Sequence, residues 1–300
     1  MPSPAKDDLI QTLHDRQRAA AGQPAETVAE TRASFAPAGA VHPIPDDVRV
    51  TEVTAGGVQA HWLDAPGADA GRVLVFVHGG GFRLGSLASD GELAARLGRA
   101  GRMRVLFPEY RLAPEHPFPA AIDDVLAVWR WLREEQGTAA DSIAVAGDSA
   151  GGGLTVALLV ATRDAGGELP AAVVLMSPTV DLTSSGASMT DRVAQDPIST
   201  PELLRQLASD YLDGADPRTP LASPLFASLA GLPPMLVQVG TADLLLSDAE
   251  RLAEAAVAAC VQVRLEVGEG LPHVYQLMLG TPEAADATER IGRFLRERVR

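Results

Sequence analysis

The sequence predicts an α/β protein built on a mostly parallel, eight-stranded sheet with helices on both faces. Three observations carry this expectation. From residue 72 onward, short apolar runs alternate with segments of helical periodicity, the pattern of repeated strand–helix units. Those runs, such as Val73-Leu74-Val75-Phe76-Val77, are apolar without alternation, as strands covered on both sides must be. One of them, Ile143 to Ala146, leads through Gly147-Asp148-Ser149-Ala150-Gly151 directly into a helical run. The chain of 300 residues has neither an internal repeat nor a low-complexity linker, which suits one large domain.

Residues 7–35 carry two helical patterns. The first has Leu9, Ile10 and Leu13 behind Asp7 and Asp8, and the second is opened by Pro24-Ala25-Glu26. A Pro-rich link, His42-Pro43-Ile44-Pro45, leads to residues 48–53, which alternate as a half-exposed strand. Gly56-Gly57 then turns the chain back through 58–63 as a hairpin. The series continues as strand 73–77, helix 89–100, strand 103–107, helix 119–135, strand 142–147, helix 150–164 and strand 171–177. In helix 119–135, Ile122, Val125, Leu126, Trp129 and Leu132 form one apolar face, with Asp123 and Asp124 favouring the dipole in its first turn. The alternation stops between 178 and 234, a stretch with its own helical segment, Pro201 to Leu212, and reads as an insertion over the site. It resumes with strand 235–239, a helix near 247–259, strand 261–267 and a last helix at 283–298. The edge strand near 261–267 offers a surface through which two copies could pair as a homodimer.

Composition narrows the partners. The formal net charge is −14, and Lys6 is the only lysine. An acidic chain without a basic tract argues against nucleic acid and anionic membrane. Cys260, the only cysteine, can form no internal disulfide and shares no metal with a cysteine neighbour. The N-terminal segment has no apolar signal region, and the longest apolar runs fall far short of a membrane span. Cytoplasmic location, no stable membrane association, and neither metal nor cofactor are the expectations.

The chemistry is read from the serine. A nucleophile at a sharp strand–helix turn needs small residues two positions before and after it, and Gly147 and Gly151 supply them around Ser149. The N–H of Ala150 then opens a helix whose dipole favours negative charge. His78-Gly79-Gly80-Gly81-Phe82 follows strand 73–77 at the same sheet edge, so Gly79 and Gly80 are expected to complete an oxyanion hole with Ala150. A phosphate loop would need a Lys-Ser/Thr ending, which is missing. Serine requires a base. Of six histidines, His14, His42 and His61 lie away from that edge, His78 suits ordering the glycine loop, and His116 sits in a proline-fixed loop as runner-up. His273 follows the last strand and is chosen. Asp243, after strand 235–239, is the carboxylate that would orient it, whereas Asp248 falls a turn later as a helix-start residue. Chain order is then Ser149, Asp243, His273. Phe82, Leu84, Tyr211 and Leu212 are candidates to line the substrate pocket.

With His78-Gly79-Gly80-Gly81, Tyr110-Arg111-Leu112-Ala113-Pro114-Glu115 and Gly147-Asp148-Ser149-Ala150-Gly151-Gly152, the chain resembles the hormone-sensitive-lipase-like family of α/β-hydrolases, rich in bacterial carboxylesterases. The resemblance extends through Leu225 to Pro234, Asp243 and His273. It implies an α/β-hydrolase fold and short-chain carboxylic ester hydrolysis through an acyl-enzyme without a cofactor. It also implies a cap made of residues 1–45 plus an insertion at about 180–215 in the core of 46–300. Lactones and acetyl groups are alternative substrates within such a family. A non-catalytic binder of this fold, as among plant gibberellin receptors, lacks the histidine that His273 supplies here. An interfacial lipase would need a larger apolar lid. Three departures stand out: Pro108-Glu109 where many members have an aspartate, Leu244 where proline is frequent, and Tyr275 where phenylalanine is common.

Overall fold

Strands form where the apolar runs have no helical period, and two of the helices begin at a side-chain cap followed by proline. Thr200 accepts the N–H of Leu203 before Pro201, and Thr281 accepts that of Ala284 before Pro282, so each proline sits where its missing N–H costs nothing. The computed structural model describes residues 4–20, 27–35 and 42–300. Two helices, α1 (Pro4–Ala20) and α2 (Val28–Phe35), precede the first strand; the Pro24-Ala25-Glu26 opening lies outside the described residues. Next come β1 (Arg49–Ala55), β2 (Val58–Asp64), β3 (Asp69–Val77), α3 (Leu87–Gly101) and β4 (Met103–Pro108). They are followed by α4 (Ala120–Arg130), β5 (Ile143–Asp148), α5 (Ser149–Asp164) and β6 (Ala172–Met176). Short α6 (Ser188–Asp191) and α7 (Pro201–Leu212) occupy the excursion before β7 (Met235–Ala242), α8 (Leu246–Ala258), β8 (Val263–Pro272) and α9 (Pro282–Arg298).

The eight strands lie in the order β1-β2-β4-β3-β5-β6-β7-β8. The β1–β2 and β2–β4 pairs are antiparallel and the other five are parallel. Alternation along β3 shows how both faces are covered: Leu74 and Phe76 pack with α3 and α9, whereas Val73, Val75 and Val77 pack with α4 and α5. Several boundaries differ from expectation, among them β3, which begins at Asp69, and β7, which runs to Ala242. Helix 119–135 is α-helical only to Arg130, and its last turn widens into a π turn, Trp131–Glu135. The last strand, expected at 261–267, runs on to Pro272 because it stays paired with β7 as far as Ala242. Parallel β3, β5, β6, β7 and β8 therefore release their chains at one edge, at Val77, Asp148, Met176, Ala242 and Pro272. No helix among the described residues is long and apolar enough to cross a membrane.

The excursion from β6 to β7 is tied to the β7–α8 junction by buried polar side chains. Asp248 Oδ2 accepts the N–H groups of Val180 and Asp181 at 2.9 and 3.0 Å. Ser188 Oγ donates to Leu244 O at 2.6 Å and accepts the N–H of Ser247 at 3.0 Å. From the N-terminal side, the Arg32 guanidinium on α2 pairs with both carboxylate oxygens of Glu115 at 2.8 Å and also reaches the carbonyls of Arg83 and Ala113. Leu9 and Ile10 of α1 pack on Leu271, Tyr275 and Met278.

Asp248 carries a linkage consequence. Burial, with Asp181 nearby, pushes its carboxyl up to about 7 despite the two N–H bonds. The folded chain therefore holds this proton above the unfolded value of 3.8, so the site's contribution to stability declines as pH rises from that value through about 7. Asp248→Asn should become progressively more stable relative to the parent between pH 5 and pH 8, as read by denaturant unfolding at both pH values.

Candidate active site

At the end of β5 the chain must reverse into α5 within one residue, and Ser149 does so with φ of 50°, in the left-handed region that side chains rarely adopt. The flanking glycines allow it. A Cβ on Gly147 would stand 2.3 Å from the carbonyl oxygen of Gly151, and one on Gly151 would stand 2.0 Å from that of Val77. Close approach of α5 to the β3 exit thus brings the serine hydroxyl beside the glycine loop.

The structure brings Ser149, His273 and Asp243 together. His273 Nε2 lies 3.0 Å from Ser149 Oγ, and Nδ1 lies 3.2 and 3.1 Å from the two carboxylate oxygens of Asp243. A carboxylate only accepts, so in the neutral imidazole Nδ1 carries the proton and Nε2 is left to accept from the hydroxyl. Asp243 is fully buried, and its Oδ1 also accepts the N–H of Leu245 at 2.8 Å. His273 is followed by Val274 at φ of 44°, a strained position for a β-branched residue, whose N–H donates to Ser177 Oγ at 3.0 Å. Burial lowers the proton affinity of the imidazole, but Asp243, Asp196 and Asp148 together outweigh it and raise the pKa to about 9. An imidazole so placed can take the proton of the hydroxyl.

Gly79 departs from expectation. Its N–H donates to Asp148 Oδ1 at 3.0 Å and its carbonyl contacts His78 Nδ1 at 2.8 Å, so it has no free donor for an oxyanion. The N–H groups of Gly80 and Gly81 have no protein partner among the described residues, and both glycines line the cavity beside Ser149. Ala150 stands in the first turn of α5, where N–H groups lack intrahelical acceptors. Burial, and next the charge of Asp90, push the Asp148 carboxyl well above the usual carboxylate range. His78 is stacked between Phe107 and Tyr110, and the Tyr110 hydroxyl donates to the His78 carbonyl at 2.8 Å, so this histidine shapes the loop. His116 is exposed and does not line the cavity that Ser149 and His273 share.

A cavity of about 500 Å³ opens over Ser149 and His273, walled largely by apolar side chains. Phe82 and Leu84 are on its wall as expected. Tyr211 and Leu212 are not: the Tyr211 ring is stacked behind Phe82 at 3.8 Å between centroids, and Leu212 is buried one residue further along α7. The helix presents Leu203, Leu204 and Leu207 to the cavity instead, one turn earlier. Leu207 reaches so close that a Cβ on Gly81 would meet it at 2.5 Å. Met189, Ile198 and Leu277 complete the wall from segments without a readable pattern. Among the described residues no three His, Cys, Asp or Glu side chains cluster as a metal site.

Comparison with known proteins adds relatives. A family model described as alpha/beta hydrolase fold matches residues 74–277. An acetyl-hydrolase of Streptomyces hygroscopicus is 46% identical over 255 residues, 84% of this chain and 83% of that protein. An esterase of Acinetobacter venetianus is 36% identical over 249 residues, 82% of each chain. Among solved structures, an esterase from the bacterial hormone-sensitive lipase family superposes with a TM-score of 0.95 at 42% identity, covering 100% of both chains.

The electrostatics of the histidine can be read directly. By NMR of labelled imidazole, His273 should titrate well above the ordinary 6.5, towards 9. In Asp243→Asn it should fall by at least about one unit, because burial is then opposed only by the more remote carboxylates.

Proposed function

Since the chain belongs to the α/β-hydrolase fold family and is a carboxylesterase of the hormone-sensitive-lipase type, we propose that it cleaves short-chain carboxylic esters by two-step acyl transfer through Ser149, His273 and Asp243. The observation that carries this reading is the 3.0 Å contact of His273 Nε2 with Ser149 Oγ, facing a cavity with unengaged backbone donors. His273 takes the hydroxyl proton as Ser149 attacks the ester carbonyl. Asp243 holds the imidazole in the required tautomer and stabilises the imidazolium. The tetrahedral oxyanion is received by the N–H groups of Gly80, Gly81 and Ala150. His273 then protonates the leaving alcohol, and water, activated by the same imidazole, releases the acid.

Short acyl chains suit the cavity. Its volume of about 500 Å³ is in the lower half of the roughly 300–1,000 Å³ usual for small-molecule sites. Leu207 against Gly81 limits the room beside the oxyanion donors. Helices α1 and α2 with residues 180–215 act as the cap over it, and exclusion of water there strengthens each hydrogen bond to the oxyanion. The similarity to an acetyl-hydrolase supports acetyl esters as the short end of the substrate range.

Ser149→Ala should lower turnover of p-nitrophenyl acetate and butyrate by about a millionfold, and retention of activity in the purified variant would end the proposal. Activity should also follow the neutral imidazole. Because a pKa raised to about 9 leaves His273 mostly protonated at pH 7, kcat/KM for p-nitrophenyl butyrate should rise from pH 6 to pH 9, after correction for spontaneous hydrolysis.

A further inference from the structure

We infer that Asp196, carried by the excursion between β6 and β7, is a positioning residue for Asp243 that clamps the cap segment to the loop bearing the catalytic acid. The inference rests on the acyl-transfer reading above. Asp196 is fully buried. Its Oδ1 accepts the N–H groups of Ile198 and Ser199, each at 2.8 Å, and its Oδ2 accepts the N–H of Leu244 at 2.9 Å. Leu244 directly follows Asp243. One carboxylate therefore joins two segments 48 residues apart and holds the backbone from which Asp243 reaches His273.

The arrangement is costly if it serves packing alone. Burial, and next the charge of Asp243, raise the proton affinity of Asp196, so two acids have been brought together where an apolar residue would fill the space without penalty. The three N–H bonds offset that cost, and the Leu244 bond exists only because residue 244 is not proline. A proline there, as the family resemblance would favour, has no N–H to give. The same turn is gripped from its outer side, where Gln17 Nε2 on α1 donates to the carbonyls of Asp196 and Ser199 at 3.3 and 3.2 Å. Ile198 and Ser199 line the substrate cavity. Cap, cavity wall and acid loop thus meet at a single side chain.

Asp196 also acts on the imidazole by charge. The groups bearing on His273 are Asp243 from the end of β7, Asp196 from the excursion, Asp148 from the end of β5 and the Ser149 hydroxyl. Removing the Asp196 charge should make the imidazole easier to deprotonate.

Two variants test this with p-nitrophenyl butyrate as substrate across pH 5.5 to 9.5. Asp196→Asn, nearly isosteric, loses the charge and one acceptor. It should lower kcat by about tenfold to a hundredfold with KM changed less than about twofold, because Asp243 loses its aim but the cavity remains. Its acid limb should move to lower pH by about half a unit or more. Leu244→Pro deletes the N–H that Asp196 accepts while also fixing φ at 244 and restricting the backbone of Asp243, and should lower kcat without raising KM. Folding of each variant is checked by circular dichroism, and either folded variant decides. A folded Asp196→Asn enzyme with the parental kcat and acid limb, or a folded Leu244→Pro enzyme with the parental kcat, overturns the inference. If Ser149→Ala retains activity, the acyl-transfer reading itself falls; if Ser149→Ala is inactive while these variants match the parent, only the role of Asp196 falls.

Discussion

The site depends on how closely α5 can approach the exit of β3. Gly151 lies against the carbonyls of Val77 and His78, and Gly147 against that of Gly151, at separations no side chain tolerates. This contact forces Ser149 into its strained conformation and sets the start of a helix beside the backbone of Gly80 and Gly81. With a larger residue at either position the helix would have to move out, and the hydroxyl would leave both the glycine loop and the imidazole. Backbone sterics, not a side-chain preference of serine, place the nucleophile candidate.

Around that contact the loops are held by buried acids. Asp148 receives the N–H of Gly79, Asp196 receives that of Leu244, and Asp248 receives those of Val180 and Asp181. Burial raises the pKa of all three. Loops at a sheet edge have backbone donors that no strand satisfies, and a carboxylate can accept several at once. Two of these acids, Asp196 and Asp148, join Asp243 in raising the proton affinity of His273. Loop rigidity and imidazole basicity are thus coupled through Asp148 and Asp196.

Much of this was legible in the residues. The uninterrupted apolar runs reported strands covered on both faces, and the motif around Ser149 reported the strand–helix junction, because both are local consequences of backbone geometry. Asp243 and His273 could be chosen because each follows a β-run, and parallel strands deliver their ends to one edge. The differences are also local in origin. Gly79 is locally equivalent to Gly80 and Gly81, but Asp148, 69 residues away, occupies its N–H. Tyr211 and Leu212 had suitable chemistry, but the rotation of α7 turns Leu203, Leu204 and Leu207 towards the cavity instead.

The sequence by itself determined the fold family, the order of its strands and helices, and which hydroxyl, imidazole and carboxylate could share an edge, since periodicity and turn sterics act over a few neighbouring residues. Only the tertiary structure decided which backbone N–H groups remain open, which face of α7 walls the cavity, and that Asp196 and Asp248 bind distant loops. Those outcomes turn on distances of about 3 Å between segments far apart in the chain, and hydrogen bonds of that length leave no period or motif behind.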